Sequence, residues 1–342
     1  MKNYQVRIRR LPQGLPAPED FDFVAAEAPA PRKGEMLCRT EWLSLDPHVR
    51  GRLEAGQPAP LHSGDLMPAR AICAVIDSRN EVFNVGEKVV MEAGLQSFCL
   101  SDGTRVQRIR TGGAPLTTAL GIMGVPGLTA YCGLLDLASA KPGEIVLVSA
   151  AASATGSMVG QIARIKGCKV IGIADTREKC EWVLREAHFN ACINDRAEQL
   201  DARLRQLAPR GVHVYFHNGD GSGLDGSGAA TLDTVVTGGH VAEGGRVVLC
   251  GLLSAADIGG VESEHAEAEV AGSPAARLRM LPLLPHAIEH RREAFLKDAI
   301  AWFAEGHLRY REDIVQGLQN AAEHFCRIVR GENFGKALVK AH

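Results

Sequence analysis

Ile145-Val146-Leu147-Val148-Ser149-Ala150-Ala151-Ala152-Ser153-Ala154-Thr155-Gly156-Ser157-Met158-Val159-Gly160 is the stretch that decides the fold. Four consecutive apolar residues, three of them β-branched, predict a strand buried on both faces. A turn of small residues follows. A helix is then expected over 156–166, with Met158, Val159, Ile162, Ala163 and Ile165 apolar. Next come a second apolar strand, Lys169–Ala174, and a helix over 177–187. Further strands are expected at 212–216 and 246–250. Strands of this kind alternating with helices require a parallel sheet covered on both faces.

Working outward, residues 129–137 have helical apolar spacing. The first ~120 residues have a different texture, with short apolar runs at 36–39, 71–76 and 88–91 between Gly- and Pro-bearing turns, which predicts short β-strands. Near the end, 293–305 reads as an amphipathic helix, with Phe295, Leu296, Ala299, Ile300 and Phe303 on one side. Lys336–Lys340 reads as a closing strand, and the Gly-rich stretches 219–228 and 238–245 read as loops. The fold class is α/β: a β-rich domain plus a doubly wound parallel sheet of the Rossmann kind.

The 342 residues suit two domains, and 46% hydrophobic residues supply their cores. A net charge of −2 offers no long-range attraction for nucleic acid or an anionic membrane. No apolar run approaches the ~20 residues that span a bilayer, and the opening Met1-Lys2-Asn3-Tyr4-Gln5-Val6-Arg7 has no signal-peptide core. A cytoplasmic location is expected. The nine cysteines are odd in number and form no C-x-x-C pair, which argues against a disulfide framework or a zinc ribbon.

Small residues between a strand and a helix let the backbone approach a pyrophosphate, and the helix N-terminus offers free N–H groups and a positive dipole end. The usual G-x-G-x-x-G is absent. Gly156 and Gly160 keep its later positions, and Ser153 stands at the first. The second strand ends in Asp175-Thr176-Arg177-Glu178-Lys179. An acidic residue there binds a ribose 2′-OH and favours NAD, whereas basic residues accommodate the 2′-phosphate of NADP. Asp175 argues for the first; Thr176, Arg177 and Lys179 argue for the second.

Several segments together resemble one family. They are residues 43–52 (LSLDPHVRGR), 124–131 (GVPGLTAY), Lys166-Gly167-Cys168, Glu178-Lys179-Cys180 and 214–218 (VYFHN). Leu249-Cys250-Gly251, Tyr310-Arg311-Glu312-Asp313 and 331–336 (GENFGK) complete the set. In order and spacing the chain is similar to the zinc-independent medium-chain dehydrogenases/reductases: prostaglandin/leukotriene reductases, alkenal double-bond reductases and curcumin-type reductases. The resemblance covers nearly the whole chain. It implies a GroES-like catalytic domain from 1–125 and 308–342, a Rossmann domain from 126–307, an active site in the cleft between them and a homodimer.

The resemblance also implies residue roles. Thr129 lies near the nicotinamide side. Ala152, Ser153, Thr155 and Gly156 line the pyrophosphate. Lys179, with Thr176 beside it, meets the 2′-phosphate, which favours NADP as cofactor. Asn218, Cys250, Gly251 and Ser254 flank the ribose groups, and Asn333 reaches the nicotinamide end. Zinc-dependent relatives carry a Gly-His-Glu motif that the region 66–73 lacks, so no metal is expected.

The implied reaction passes hydride from nicotinamide to the β-carbon of an α,β-unsaturated ketone or aldehyde. The enolate so formed needs a hydrogen-bond donor at its oxygen and then a proton on its α-carbon. The family's Asp-Pro-Tyr reads Asp46-Pro47-His48 here, which makes His48 the candidate donor. Relatives' tyrosine near Asn194-Asp195 is missing, and Pro282 and Pro285 interrupt a segment that lines the substrate pocket in relatives. Two other readings stand beside this one. One is a quinone reductase of the same fold. The other is a non-catalytic dinucleotide-binding protein, suggested by Ser153, His48 and Asp175. A short-chain dehydrogenase is disfavoured, because none of the four tyrosines has a lysine four residues on.

Overall fold

Short strands punctuated by Gly and Pro turns build the N-terminal part of the chain. The computed structural model describes residues 1–53, 60–219, 227–250, 278–283 and 288–342. Two compact units are formed, Met1–Gly121 with Arg311–His342, and Ile122–Tyr310.

In the first unit β1 (Lys2–Ile8) and β2 (Phe21–Glu27) pair antiparallel. Strand β3 (Met36–Ser44) pairs antiparallel with β4 (Arg70–Ser78), and β4 with β5 (Lys88–Glu92). Strand β6 (Phe98–Ser101) joins β3, and β7 (Gln107–Arg108) joins β5. Met36, Leu43, Cys73, Val75, Val89 and Met91 belong to one buried cluster; Ile72 and Val90 belong to a second with Leu120. Strands buried on alternate faces in this way read as continuous apolar runs rather than as an alternation.

The second unit opens with α1 (Val125–Tyr131). Pro126 sits in its first turn, where a missing N–H costs nothing. A wide π turn over Cys132–Leu137 continues it, so the helix expected over 129–137 starts four residues earlier and changes pitch midway. There follow β8 (Ile145–Val148), α2 (Ala154–Ile165), β9 (Lys169–Ala174), α3 (Arg177–Arg185) and β10 (Ala191–Asn194). Then come α4 (Leu200–Leu207), β11 (Val212–Asn218), α5 (Ser227–Thr237), β12 (Val241–Cys250), β13 (Arg279–Pro282) and α6 (Arg292–Ala304).

The six strands form one parallel sheet in the order β10-β9-β8-β11-β12-β13. The winding reverses between β8 and β11, the kind of switch point where open α/β sheets bind ligands. Leu147, Ile171, Tyr215 and Val247 are buried in the core on one face. On helix α2 a Cβ at Gly160 would collide with the Phe189 ring, so this glycine permits the close packing of α2.

Two loop expectations change. Strand β12 already starts at Val241, inside the stretch read as a loop over 238–245. Gly244, at φ +71°, and a register shift between Val212 and Val214 let it pair there despite the glycines. Of the loop expected over 219–228, residues 220–226 lie outside the described residues, and Ser227 opens α5. Pro282 ends β13, the last strand of the sheet, where an edge tolerates proline; Pro285 lies outside the described residues.

The C-terminal segment completes the first unit. Strand β14 (Glu312–Gln316) runs parallel to β15 (Lys336–Lys340), which pairs antiparallel with β3. Helix α7 (Ala321–Val329) lies between them in sequence and buries Phe325, Cys326 and Ile328 in the first unit's core. The resulting sheet has the order β14-β15-β3-β4-β5-β7.

Candidate functional site

The turn from β8 to α2 is tightly folded. Ala150 adopts a left-handed φ of +46°, and a Cβ at Gly156 would strike the Ala150 carbonyl. Ser153 is the N-cap of α2, and its Oγ accepts from the Gly156 amide at 3.0 Å. The same Oγ accepts from Asn218 Nδ2 at 2.8 Å, while the Asn218 amide donates to Ser149 Oγ at 2.8 Å. The ends of β8 and β11 are thus stitched together at the switch point. Ala152 is buried under the turn, and Thr155 is half-buried in the first turn of the helix.

These residues fit a dinucleotide pyrophosphate. The first amides of a helix have no intrahelical acceptor. Ser153 takes that of Gly156, which leaves those of Ala154 and Thr155 at the positive end of a 12-residue helix. The residue at the first glycine position of the motif is therefore a helix cap.

At the end of β9 the polar cluster is charged and closely paired. Thr176 caps α3, its Oγ1 accepting from the Lys179 amide at 3.2 Å. Asp175 accepts from Lys179 Nζ at 2.8 Å and lies 3.7 Å from an Arg196 guanidinium nitrogen. Asp195, after β10, keeps a buried Oδ1 without a hydrogen-bond partner. Burial, and then the nearby Asp175 carboxylate, push its pKa up.

At the end of β11 the His217 ring is buried, with Nδ1 2.8 Å from the Tyr215 hydroxyl and Nε2 unpartnered. Burial lowers its pKa to about 4, so it is neutral at physiological pH. Cys250 lies opposite Asn218 in the β11–β12 register, and burial pushes its thiol up to about 12. Gly251 and Ser254 lie outside the described residues. Thr129 is half-buried on α1, which packs against α2.

In the first unit the structure gathers the 43–52 and 331–336 segments. Lys336 is buried, and its Nζ donates to Asp46 Oδ1 at 2.6 Å and to the Leu45 carbonyl at 3.1 Å. Ser44 Oγ donates to Asp46 Oδ2 at 2.6 Å. Burial alone would raise the Asp46 pKa. The Lys336 ammonium, helped by His48 and Ser44, outweighs it and holds the carboxyl down at about 2. His48 follows on a short 3₁₀ turn, Pro47–Leu53, and is exposed. Asn333 is half-buried and donates Nδ2 to the Gly335 carbonyl at 2.9 Å, three residues before Lys336.

Sequence reasoning did not single out Ser149, Arg196, His217 or Lys336. Only Lys336 carried a signal, as a charged residue opening an apolar strand. Among the described residues no group of three or more His, Cys, Asp or Glu side chains could hold a metal ion.

Comparison with known proteins gives the chain its relatives. A profile described as the N-terminal domain of oxidoreductase matches residues 4–109, and one described as zinc-binding dehydrogenase matches 154–266. Prostaglandin reductase 1 of Bos taurus is 34% identical over 332 residues, covering 96% of both chains. The NADPH-dependent curcumin reductase of Escherichia coli is 31% identical, over 96% of this chain and 94% of that protein. The crystal structure of CurA from Vibrio vulnificus in complex with NADPH superposes with a TM-score of 0.87, at 34% identity and 99% coverage of each chain.

The chain belongs to this family. It is a medium-chain dehydrogenase/reductase of the prostaglandin, curcumin and alkenal reductase group. Its fold is a β-rich N-terminal domain joined to a Rossmann-like parallel-sheet domain.

Proposed function

We propose that this protein is an NADPH-dependent reductase of the C=C bond in α,β-unsaturated ketones and aldehydes. The observation that carries the reading is the Ser153–Asn218 bond at the N-terminus of α2. It closes the turn between β8 and α2 in a chain about one-third identical, over nearly its whole length, to a prostaglandin reductase and an NADPH-dependent curcumin reductase, which supports reading that turn as a pyrophosphate cradle.

Bound to the protein, the cofactor supplies the hydride. Ala152, Ser153, Thr155 and Gly156 hold the pyrophosphate through backbone approach and the helix end. Thr176 and Lys179 bind the 2′-phosphate. Asn218 and Cys250, with Gly251 and Ser254, flank the ribose groups, and Thr129 and Asn333 meet the nicotinamide. His48 donates a hydrogen bond to the substrate carbonyl, stabilising negative charge on its oxygen. Support for His48 is its exposed side chain on a turn that Asp46 and Lys336 anchor. Residues 1–125 and 308–342 act as the catalytic domain and 126–307 as the dinucleotide domain. We assign the protein to the cytoplasm, in keeping with nine free cysteines, and expect a homodimer in size-exclusion chromatography with light scattering.

The test is NADPH consumption with a panel of 2-alkenals, enones and quinones. Turnover of the enones and alkenals supports the reading. Turnover of quinones alone points to quinone reduction, and NADPH binding with no turnover points to a non-catalytic binder.

A further inference from the structure

The cluster at the end of β9 is unusual for a site that must take a phosphate. Asp175 is not a helix cap, because Thr176 fills that role. Its two carboxylate oxygens are directed at cations instead, Oδ1 at Lys179 Nζ and Oδ2 at Arg196. Lys179 lies in the first turn of α3, where a cation opposes the helix dipole, so the helix itself gains nothing from it there. Arg196 is 64% exposed, and Asp195 adds a second carboxylate beside it. Arg177 is turned outward and paired with Glu181. The two cations that could meet a 2′-phosphate thus already face a formal charge of equal size.

Resting on the proposal that NADPH is the cofactor, we infer that Asp175 sets the selectivity of this site. Its carboxylate competes with the 2′-phosphate for Lys179 and Arg196, and it accepts a hydrogen bond from the ribose 2′-OH when NADH binds. Lys179 has three N–H donors, so phosphate can enter beside Asp175 without expelling it. What it meets is a like charge at close range in half-buried surroundings, and that repulsion falls on NADPH alone. Arg196, reached through the same carboxylate, is the second cation of the subsite. The site therefore accepts both cofactors and discriminates between them weakly.

The experiment is isothermal titration of the full-length protein with NADPH and with NADH, for wild type, Asp175→Ala, Asp175→Asn and Arg196→Ala. Both Asp175 variants should raise the ratio of the NADH to the NADPH dissociation constant by roughly tenfold, the size expected of one charge at this range that solvent largely screens. Arg196→Ala should weaken NADPH by a similar factor and leave NADH within about twofold. The two cofactors share pyrophosphate and nicotinamide, so a folding defect would weaken both and leave the ratio fixed. Asp175→Asn keeps the side-chain shape and guards against that outcome. An unchanged or falling ratio in both Asp175 variants overturns the inference and leaves the NADPH reading standing. Failure of the wild type to bind either cofactor overturns both.

Discussion

Asn218 Nδ2 donates to Ser153 Oγ at 2.8 Å across 65 residues of chain, joining the last residue of β11 to the cap of α2. This bond ties the end of β11 to the turn between β8 and α2, and it depends on a serine where the usual motif has glycine.

Ser153→Ala removes both hydrogen bonds to Oγ. Loss of an N-cap costs about 1 kcal/mol, so the variant should unfold at lower denaturant with an unchanged slope. It should also bind NADPH and NADH more weakly by similar factors. Denaturant titration and cofactor fluorescence measure the two effects. A variant with wild-type stability and affinity would remove Ser153 from the site.

His217 predicts a pH dependence. Its pKa falls from 6.5 in the unfolded chain to about 4 in the fold. Between these values the unfolded state binds the proton and the native state does not, so stability drops as pH falls from about 6.5 to about 4. The loss is about 3 kcal/mol at the lower end. In urea melts across this range, His217→Gln should flatten the profile. An equal slope in variant and wild type would assign it to other groups.

Asp46 acts at lower pH. Its carboxyl is held at about 2, below the ordinary 3.8, so its contribution is present above about pH 4 and is lost as pH falls towards 2. Asp46→Asn should cost about 2 kcal/mol at neutral pH, since it leaves the buried Lys336 ammonium without its carboxylate. Lys336→Met combined with Asp46→Asn should recover part of that loss. A double variant no more stable than Asp46→Asn would mean that the pair is not coupled.

How legible these features were differs by type. The strand Ile145–Val148 announces itself because burial on both faces leaves no polar residue in it. Helix α2 starts at Ala154, two residues before its apolar periodicity, because the cap lies in the small-residue turn and not in the repeat. The Asp46–Lys336 pair spans 290 residues, and no local pattern encodes such a contact. Lys336 looks in sequence like the polar start of a strand. His217 lies one residue beyond the strand expected over 212–216, and its hydrogen bond to Tyr215 and its lowered pKa follow from packing alone. Asp175 and Lys179 appeared as opposed signals for two cofactors; in the structure they are each other's partners.

His48→Ala should lower kcat on enones by about 10²-fold, the low end for a lost acid or oxyanion donor. The NADPH dissociation constant should stay near its wild-type value. Steady-state kinetics with a parallel binding titration separate the two. An unchanged kcat would take His48 out of the reaction.

The most direct test of the account is the fate of hydride. The protein is incubated with an α,β-unsaturated ketone and NADPH carrying deuterium at the transferable position, and the product is analysed by mass spectrometry and NMR. The account predicts a saturated ketone with one deuterium on the β-carbon. An allylic alcohol with deuterium on the carbonyl carbon would contradict it.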